Sequence, residues 1–202
     1  MITINLDPDR IHYKSLEPAI EALKDGGVII YPTDTVYGIG CDIFAAPAID
    51  RIVEIKKRDA SKPFSFICQS VAQISEFAII PTWAYRLMNK TLPGPYTYIL
   101  EARRSSIPKK MLGKRNTSGV RIPDNKVCKI LVEALGRPIL TSSVNVSGQE
   151  PFNDPALIPD ELARKVDVLV SVGPLISDAS TVVDATGAEP AVIRLGAGPV
   201  VW

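Results

Sequence analysis

The 202-residue chain is 46% hydrophobic and 22% charged, the balance of a soluble globular protein with room for one sizeable core, and its formal charge of +1 leaves any polyanionic partner to local clustering. Three scattered cysteines and a single histidine, His12, argue against a disulfide framework, a zinc site and a serine–histidine triad. They point to a reducing, cytoplasmic setting, as do the missing signal-peptide pattern in "MITINLDPDRIHYK" and the lack of any apolar run near the ~20 residues of a membrane span.

A short strand opens the chain. Residues 16–25 place Leu16, Ile20 and Leu23 at helical spacing, and Gly26-Gly27 ends that helix. "VIIYP" reads as a strand buried on both faces, followed by a helix over 46–57 and a second buried strand, "FSFIC" (64–68). Ser70 and Gln73 have capping-box spacing ahead of the next helix. Residues 82–90 read as a helix stopping before Pro93-Gly94, and 96–102 as a strand. "GVRIP" is a short strand, 126–135 a helix closed by Gly136, and 159–166 a helix with Pro159 near its start. "VDVLVSV", "STVVDA" and "AVIRLG" read as closing strands. The expected fold is α/β: one domain over 1–202, a twisted mixed β-sheet with flanking helices.

Four polar clusters sit at the ends of apolar runs, where loops of α/β sheets build binding sites. With side chains alternating along extended segments, Thr33, Thr35 and Tyr37 share a side in "YPTDTVYG", and Thr117 and Arg121 share one in "NTSGVR". Thr141, Ser143 and Asn145 do so in "LTSSVNVSG", and Ser180 and Asp184 in "STVVD". Each cluster alone reads equally well as turn capping. All four, taken with Lys56, Arg58 and Arg121, point to a shared polar crevice.

Lys56 is the sharpest of these signals. Ile49, Ile52 and Val53 mark an inward helical face, and the next position on it, seven after Ile49, is a lysine. A cation near a helix C-terminus is favourable, but a solvent-facing position such as that of Lys57 would serve for that. An inward ammonium costs several kcal/mol, order of magnitude, unless an anion or polar group meets it. A ligand phosphate or carboxylate is one candidate. There is no G-x-x-x-x-G-K-[ST] loop and no G-x-G-x-x-G, so a bound nucleotide would be held by side chains. A second basic concentration, Arg103, Arg104, Lys109, Lys110, Lys114 and Arg115, fits either a nucleic-acid backbone or a solvated loop.

"YPTDTVYGIG", "KKR" followed by "KPF", "LPGPYTYIL", "GVRIP", "SSVNVSG", and "STVVD" with "VIR" run in one order through most of the chain. Together they resemble the YrdC/YciO family, most closely its YciO-type branch. The resemblance implies a twisted α/β fold with a concave, positively charged face. It also implies formation of threonylcarbamoyl-AMP from L-threonine, bicarbonate and ATP, with release of pyrophosphate, for threonylcarbamoylation of tRNA adenosine 37. Magnesium would accompany the ATP through its phosphates, and tRNA-threonylcarbamoyl transfer proteins would be partners. Binding of tRNA or double-stranded RNA in the same basic cavity, or an enzyme acting on threonylcarbamoyl groups already on RNA, are the alternatives it carries.

Matched motif by motif, the resemblance assigns catalytic roles to Lys56, Arg58, Ser143 and Asn145. It assigns threonine contacts to Thr35, Arg121, Thr141 and Ser180, and nucleotide contacts to Arg58, Lys62, Thr117, Ser143 and Arg194. No protein metal ligand is implied. The chain departs from the pattern at Asp59, where the synthases carry proline, and at "QEPFND" after "VSG".

Overall fold

Two apolar cores lie on opposite faces of one sheet, and their division decides where a site can form. The computed structural model describes residues 1–57, 64–112 and 116–202. Its strands are β1 (Ile2–Asn5), β2 (Ile29–Tyr31), β3 (Gly38–Asp42), β4 (Ser65–Ile67), β5 (Ala78–Ile79) and β6 (Tyr96–Ala102). The later ones are β7 (Thr117–Arg121), β8 (Ile139–Ser143), β9 (Val168–Ser171), β10 (Thr181–Asp184) and β11 (Ala191–Arg194). The α-helices are α1 (Tyr13–Lys24), α2 (Ala46–Lys56), α3 (Val71–Phe77), α4 (Thr82–Thr91), α5 (Lys126–Leu135) and α6 (Asp160–Ala163). All the described strands join one mixed sheet in the order β1-β9-β2-β3-β8-β4-β7-β6-β10-β11, with β5 on β6. No helix among the described residues is long and apolar enough to cross a membrane.

Period-two alternation sorts the side chains. Ile29 and Tyr31 of β2, Ile67 of β4 and Ile139 of β8 face Leu16, Ile20 and Leu23 of α1 and Val127, Leu131 and Leu135 of α5. Their sequence neighbours Ile30, Phe66 and Leu140 face the other way, into the core that takes Ile49, Ile52 and Ile55 of α2. The α1–α5 layer stops short of β6, β7 and β10, and the uncovered part of its face is where polar residues gather.

Helix ends follow their caps. α1 begins at Tyr13, three residues before the expected start, because His12 is its N-cap: Nδ1 accepts from the Ser15 amide (3.2 Å) while Ser15 Oγ accepts from the His12 amide (3.2 Å). Such a cap stabilises a helix by about 1 kcal/mol. Ser70 caps α3 by accepting from the Gln73 amide (3.1 Å), but Gln73 reaches back to the Gln69 amide rather than to that of Ser70. α5 runs over the expected 126–135, between the cap Asn125 and the left-handed Gly136 (φ 72°). α6 is only Asp160–Ala163, shorter than the predicted 159–166. β3 has no counterpart in the predicted elements.

Candidate functional site

β3, β8, β4, β7, β6, β10 and β11 lie side by side, and one face of this run is the floor of a crevice of about 320 Å³. Ladder register explains the row along its bottom: Thr141 pairs Ser65, Ser65 pairs Gly119, and Gly119 pairs Ile99. The four share the face that bears Ile139 and Ile67 under the helices. Gly119 leaves little room, since a Cβ there would run into Ser65 Oγ and stand 3.0 Å from Ser65 Cβ and 3.1 Å from Thr97 Cγ2.

The 32–37 segment between β2 and β3 forms the threonine-rich wall. Thr33 donates its hydroxyl to the Val36 carbonyl (2.7 Å) and accepts from the Thr35 amide (3.0 Å), which closes a tight turn. The Thr33 hydrogen being used, Thr35 is the donor in their 3.0 Å hydroxyl contact. Arg121, 7% exposed at the end of β7, sends Nη2 to Thr35 Oγ1 (3.0 Å) and to Asp34 Oδ1 (2.9 Å). Asp34 Oδ2 accepts from the Asp124 amide (3.1 Å). Burial raises the Asp34 carboxyl above its ordinary pKa of 3.8, against the opposing pull of the Arg121 charge. From below, the Tyr31 hydroxyl donates to Thr141 Oγ1 (2.8 Å).

Arg121 Nε is buried with no hydrogen-bond partner. A buried donor left unmet costs about 1–3 kcal/mol, and more when the group is charged. Among the buried, partnerless side-chain atoms of the described residues, it alone belongs to a crevice-lining residue. Arg121 lines the crevice, and Nε is its one buried donor not already given to the protein, Nη2 being shared between Asp34 and Thr35.

The opposite wall carries Ser180 and Arg194. Ser180 Oγ lies 2.8 Å from Thr97 Oγ1, and Arg194 donates to the Ser180 carbonyl through Nε (3.1 Å) and Nη2 (2.7 Å). Burial, and then the charge of Arg121, pull the Arg194 pKa below its ordinary value. Two guanidinium groups thus face one crevice.

The third wall is the 143–151 loop. Ser143 Oγ donates to Asn145 Oδ1 (2.7 Å), and Asn145 Nδ2 donates to the Gln149 carbonyl (2.6 Å). Lys56, 2% exposed, lies behind it and donates to the Ser143 carbonyl, to the Asn145 carbonyl (3.1 Å) and to Asn145 Oδ1 (2.7 Å). The inward ammonium of α2 is thus met by backbone and amide oxygens of the loop.

Of the residues the sequence singled out, Arg121, Thr141, Ser143, Ser180 and Arg194 line the crevice, with Thr33 and Tyr37. Thr35 and Asn145 stand directly behind that lining through Arg121 and Ser143. Thr117 lies at the opposite end of β7 and is not among the lining residues, and Asp184 caps the turn at Thr186 (2.9 Å). Arg58, Asp59, Lys62, Lys114 and Arg115 lie outside the described residues. Lys110 of the second basic segment is paired with Asp50.

Asp34, Tyr31, Ser65 and Thr97 join the site without belonging to the sequence-derived candidates. Ser65 and Thr97 are single polar residues inside the apolar runs "FSFIC" and "YTYIL", a signal that was available. No group of three or more histidine, cysteine, aspartate or glutamate side chains among the described residues is placed to hold a metal ion. The three cysteines are buried and unbridged, and burial raises their thiol pKa values, that of Cys41 to about 12.

A family model named Sua5/YciO/YrdC, described as telomere recombination, matches residues 21–196. The crystal structure of E. coli YciO superposes with a TM-score of 0.91 at 35% identity, covering 98% of each chain. P. abyssi Sua5 in complex with L-threonine superposes with a TM-score of 0.90 at 30% identity, over 97% of this chain and 58% of that one. Among curated sequences, the threonylcarbamoyl-AMP synthase of Coxiella burnetii is 32% identical over 164 residues, 80% of this chain and 87% of that protein.

Proposed function

This chain belongs to the Sua5/YciO/YrdC family, and from that premise we propose that it is an ATP-dependent threonylcarbamoyl-AMP synthase whose crevice seats L-threonine by its carboxylate. The observation that carries the reading is the partnerless, buried Nε of Arg121, a crevice-lining residue whose Nη2 is held by Thr35 and Asp34. A relative of this family at 30% identity has been solved with L-threonine.

In this reading the α-carboxylate accepts from Arg121 Nε, the buried donor that Asp34 and Thr35 leave unused. Asp34 keeps the guanidinium aimed by accepting from Nη2. The threonine amine and bicarbonate give a carbamate with loss of water. A carbamate oxygen then attacks the α-phosphorus of ATP, and the bond from that phosphorus to the β-phosphate bridging oxygen breaks as pyrophosphate leaves. Two anions must approach each other, which costs Coulomb energy unless cations stand between them. Arg194 supplies one such cation on the wall opposite Thr33. Ser143 offers a hydroxyl whose orientation is fixed by Asn145, and Lys56 in turn fixes Asn145. Arg58 and Lys62 are the family-matched positions for the remaining phosphate charge. Magnesium would arrive on the ATP, coordinated by phosphates and water. Transfer of the product to tRNA would fall to separate proteins.

Calorimetric titration tests the threonine seat. L-Threonine should bind the wild-type chain, and Arg121→Lys should weaken it by about tenfold or more, because an ammonium cannot meet Asp34, Thr35 and the ligand in the guanidinium's fixed geometry. Equal affinities of the two proteins would remove Arg121 from the site.

A further inference from the structure

A second cavity, of about 360 Å³, lies where β4 and β7 end and α5 begins. Its floor is apolar, made by Cys68, Pro93, Ile122, Cys128 and Val132. Its lining also bears Lys126 and Lys129 from α5 and Asp124 just before that helix. Both lysines are exposed, and neither has an ion-pair partner among the described residues. Cavities of this size, with an apolar floor and a few polar groups, are the usual form of a small-molecule site. Two cations against one carboxylate set its charge preference.

From this we propose that the second cavity is a regulatory site for a small organic anion with an apolar body: a monocarboxylate whose hydrocarbon part fills the floor and whose charge meets Lys126 and Lys129. Its regulatory character follows from a shared wall, and that part of the proposal rests on the threonine reading of the crevice. Cys128 of the floor donates its thiol to the Pro32 carbonyl (3.4 Å), directly before Thr33. Asp124 of the lining donates its amide to Asp34, the partner of Arg121. Ile122 follows Arg121 in the chain, and the Cys68 amide donates to the Arg121 carbonyl (2.9 Å). An occupant pressing on this wall acts on the two segments that hold Arg121 and Thr35. Binding linkage is reciprocal, so L-threonine must change the affinity of the occupant by the same factor.

The probe is 4-phenylbutyrate, followed by ligand-detected NMR and calorimetry on the full chain, with 4-phenylbutanol as the uncharged control. The acid should bind and the alcohol bind more weakly. Lys126→Gln/Lys129→Gln, which leaves the floor intact, should weaken the acid by about fivefold, the effect of two partly exposed ion pairs. Val132→Phe, which fills the floor, should abolish binding of both compounds. Saturating L-threonine should leave the acid bound with an affinity altered by at least about twofold, a small coupling energy by the usual standard. No binding of the acid, binding indifferent to the two lysines and to Val132, or simple competition with L-threonine overturns the second site. Binding at the cavity with no change in either affinity overturns its regulatory role. Because the probe titrations are also run without threonine, failure of the crevice to bind threonine is read separately from failure of this cavity.

Discussion

The ammonium of Lys56 donates to both the carbonyl and the side-chain oxygen of Asn145, and so ties the end of α2 to the loop that carries Ser143. The lysine holds the loop in shape. Lys56→Met should therefore destabilise the fold as well as impair turnover. Breaking a buried charged contact of this kind costs about 3 kcal/mol. Urea unfolding would read this as a lowered midpoint at unchanged m-value. An undiminished midpoint would restrict Lys56 to the chemistry alone.

Asp34 gives a pH dependence with a definite sign. Its folded-state pKa is raised by burial, so the unfolded chain loses that proton first as pH rises. The stability that Asp34 contributes is largest below its ordinary pKa of 3.8, falls across the window up to the raised value, and is flat above it. The difference in unfolding free energy between wild type and Asp34→Asn should decline with pH in that window and then level off. A difference that grows with pH there would mean that the Arg121 charge outweighs burial.

The same substitution should loosen the threonine seat without removing it. Asp34→Asn keeps an acceptor for Arg121 Nη2 but loses the charge, so threonine affinity should fall by about three- to tenfold, less than for Arg121→Lys. Calorimetry decides the order of the two.

Gly119 is the point where the crevice floor has no spare room. A methyl group there would collide with Ser65 Oγ and lie 3.1 Å from Thr97 Cγ2. Gly119→Ala should cost about 1–3 kcal/mol of overpacking and displace Ser65 and Thr97 into the cavity. Thermal denaturation would show a lowered Tm, and threonine binding should weaken. A fully stable variant with wild-type binding would mean that the row Thr141–Ser65–Gly119 does not form the floor.

Arg194 separates the two substrates. It faces the crevice from β11, across from Arg121. Arg194→Gln should raise the apparent KM for ATP by about tenfold, the loss of one charge-assisted phosphate contact, and leave threonine affinity nearly unchanged. A threonine defect of equal size would place Arg194 in the amino-acid seat instead.

Much of this was legible in the chain because the relevant patterns are local. Asn125 and Gly136 mark both ends of α5, and the helical period that ends in Lys56 shows a cation turned inward. β3 was not legible: "GIGCD" has three residues of poor strand propensity, and its place between β2 and β8 is fixed by backbone pairing and by the closeness that glycine permits. Asp34 was missed for a different reason. Alternation puts it opposite Thr33 and Thr35, but residues 33–36 form a turn closed by the Thr33 hydroxyl, where period two does not hold. Asp34 and Thr35 therefore meet the same guanidinium. His12, conspicuous as the lone histidine, serves a helix end. That the Lys56 partners are oxygens of the 143–145 loop depends on a contact across nearly ninety residues, which no local pattern encodes.

The most direct test of the account is pyrophosphate release by the purified chain, measured with ATP, L-threonine and bicarbonate together and with each omitted in turn, with the products examined by mass. Pyrophosphate is expected only when all three are present, in step with a threonylcarbamoyl-AMP mass. A folded protein that binds L-threonine but releases no pyrophosphate under any combination would contradict it, and would direct attention to an RNA-borne substrate for the same crevice.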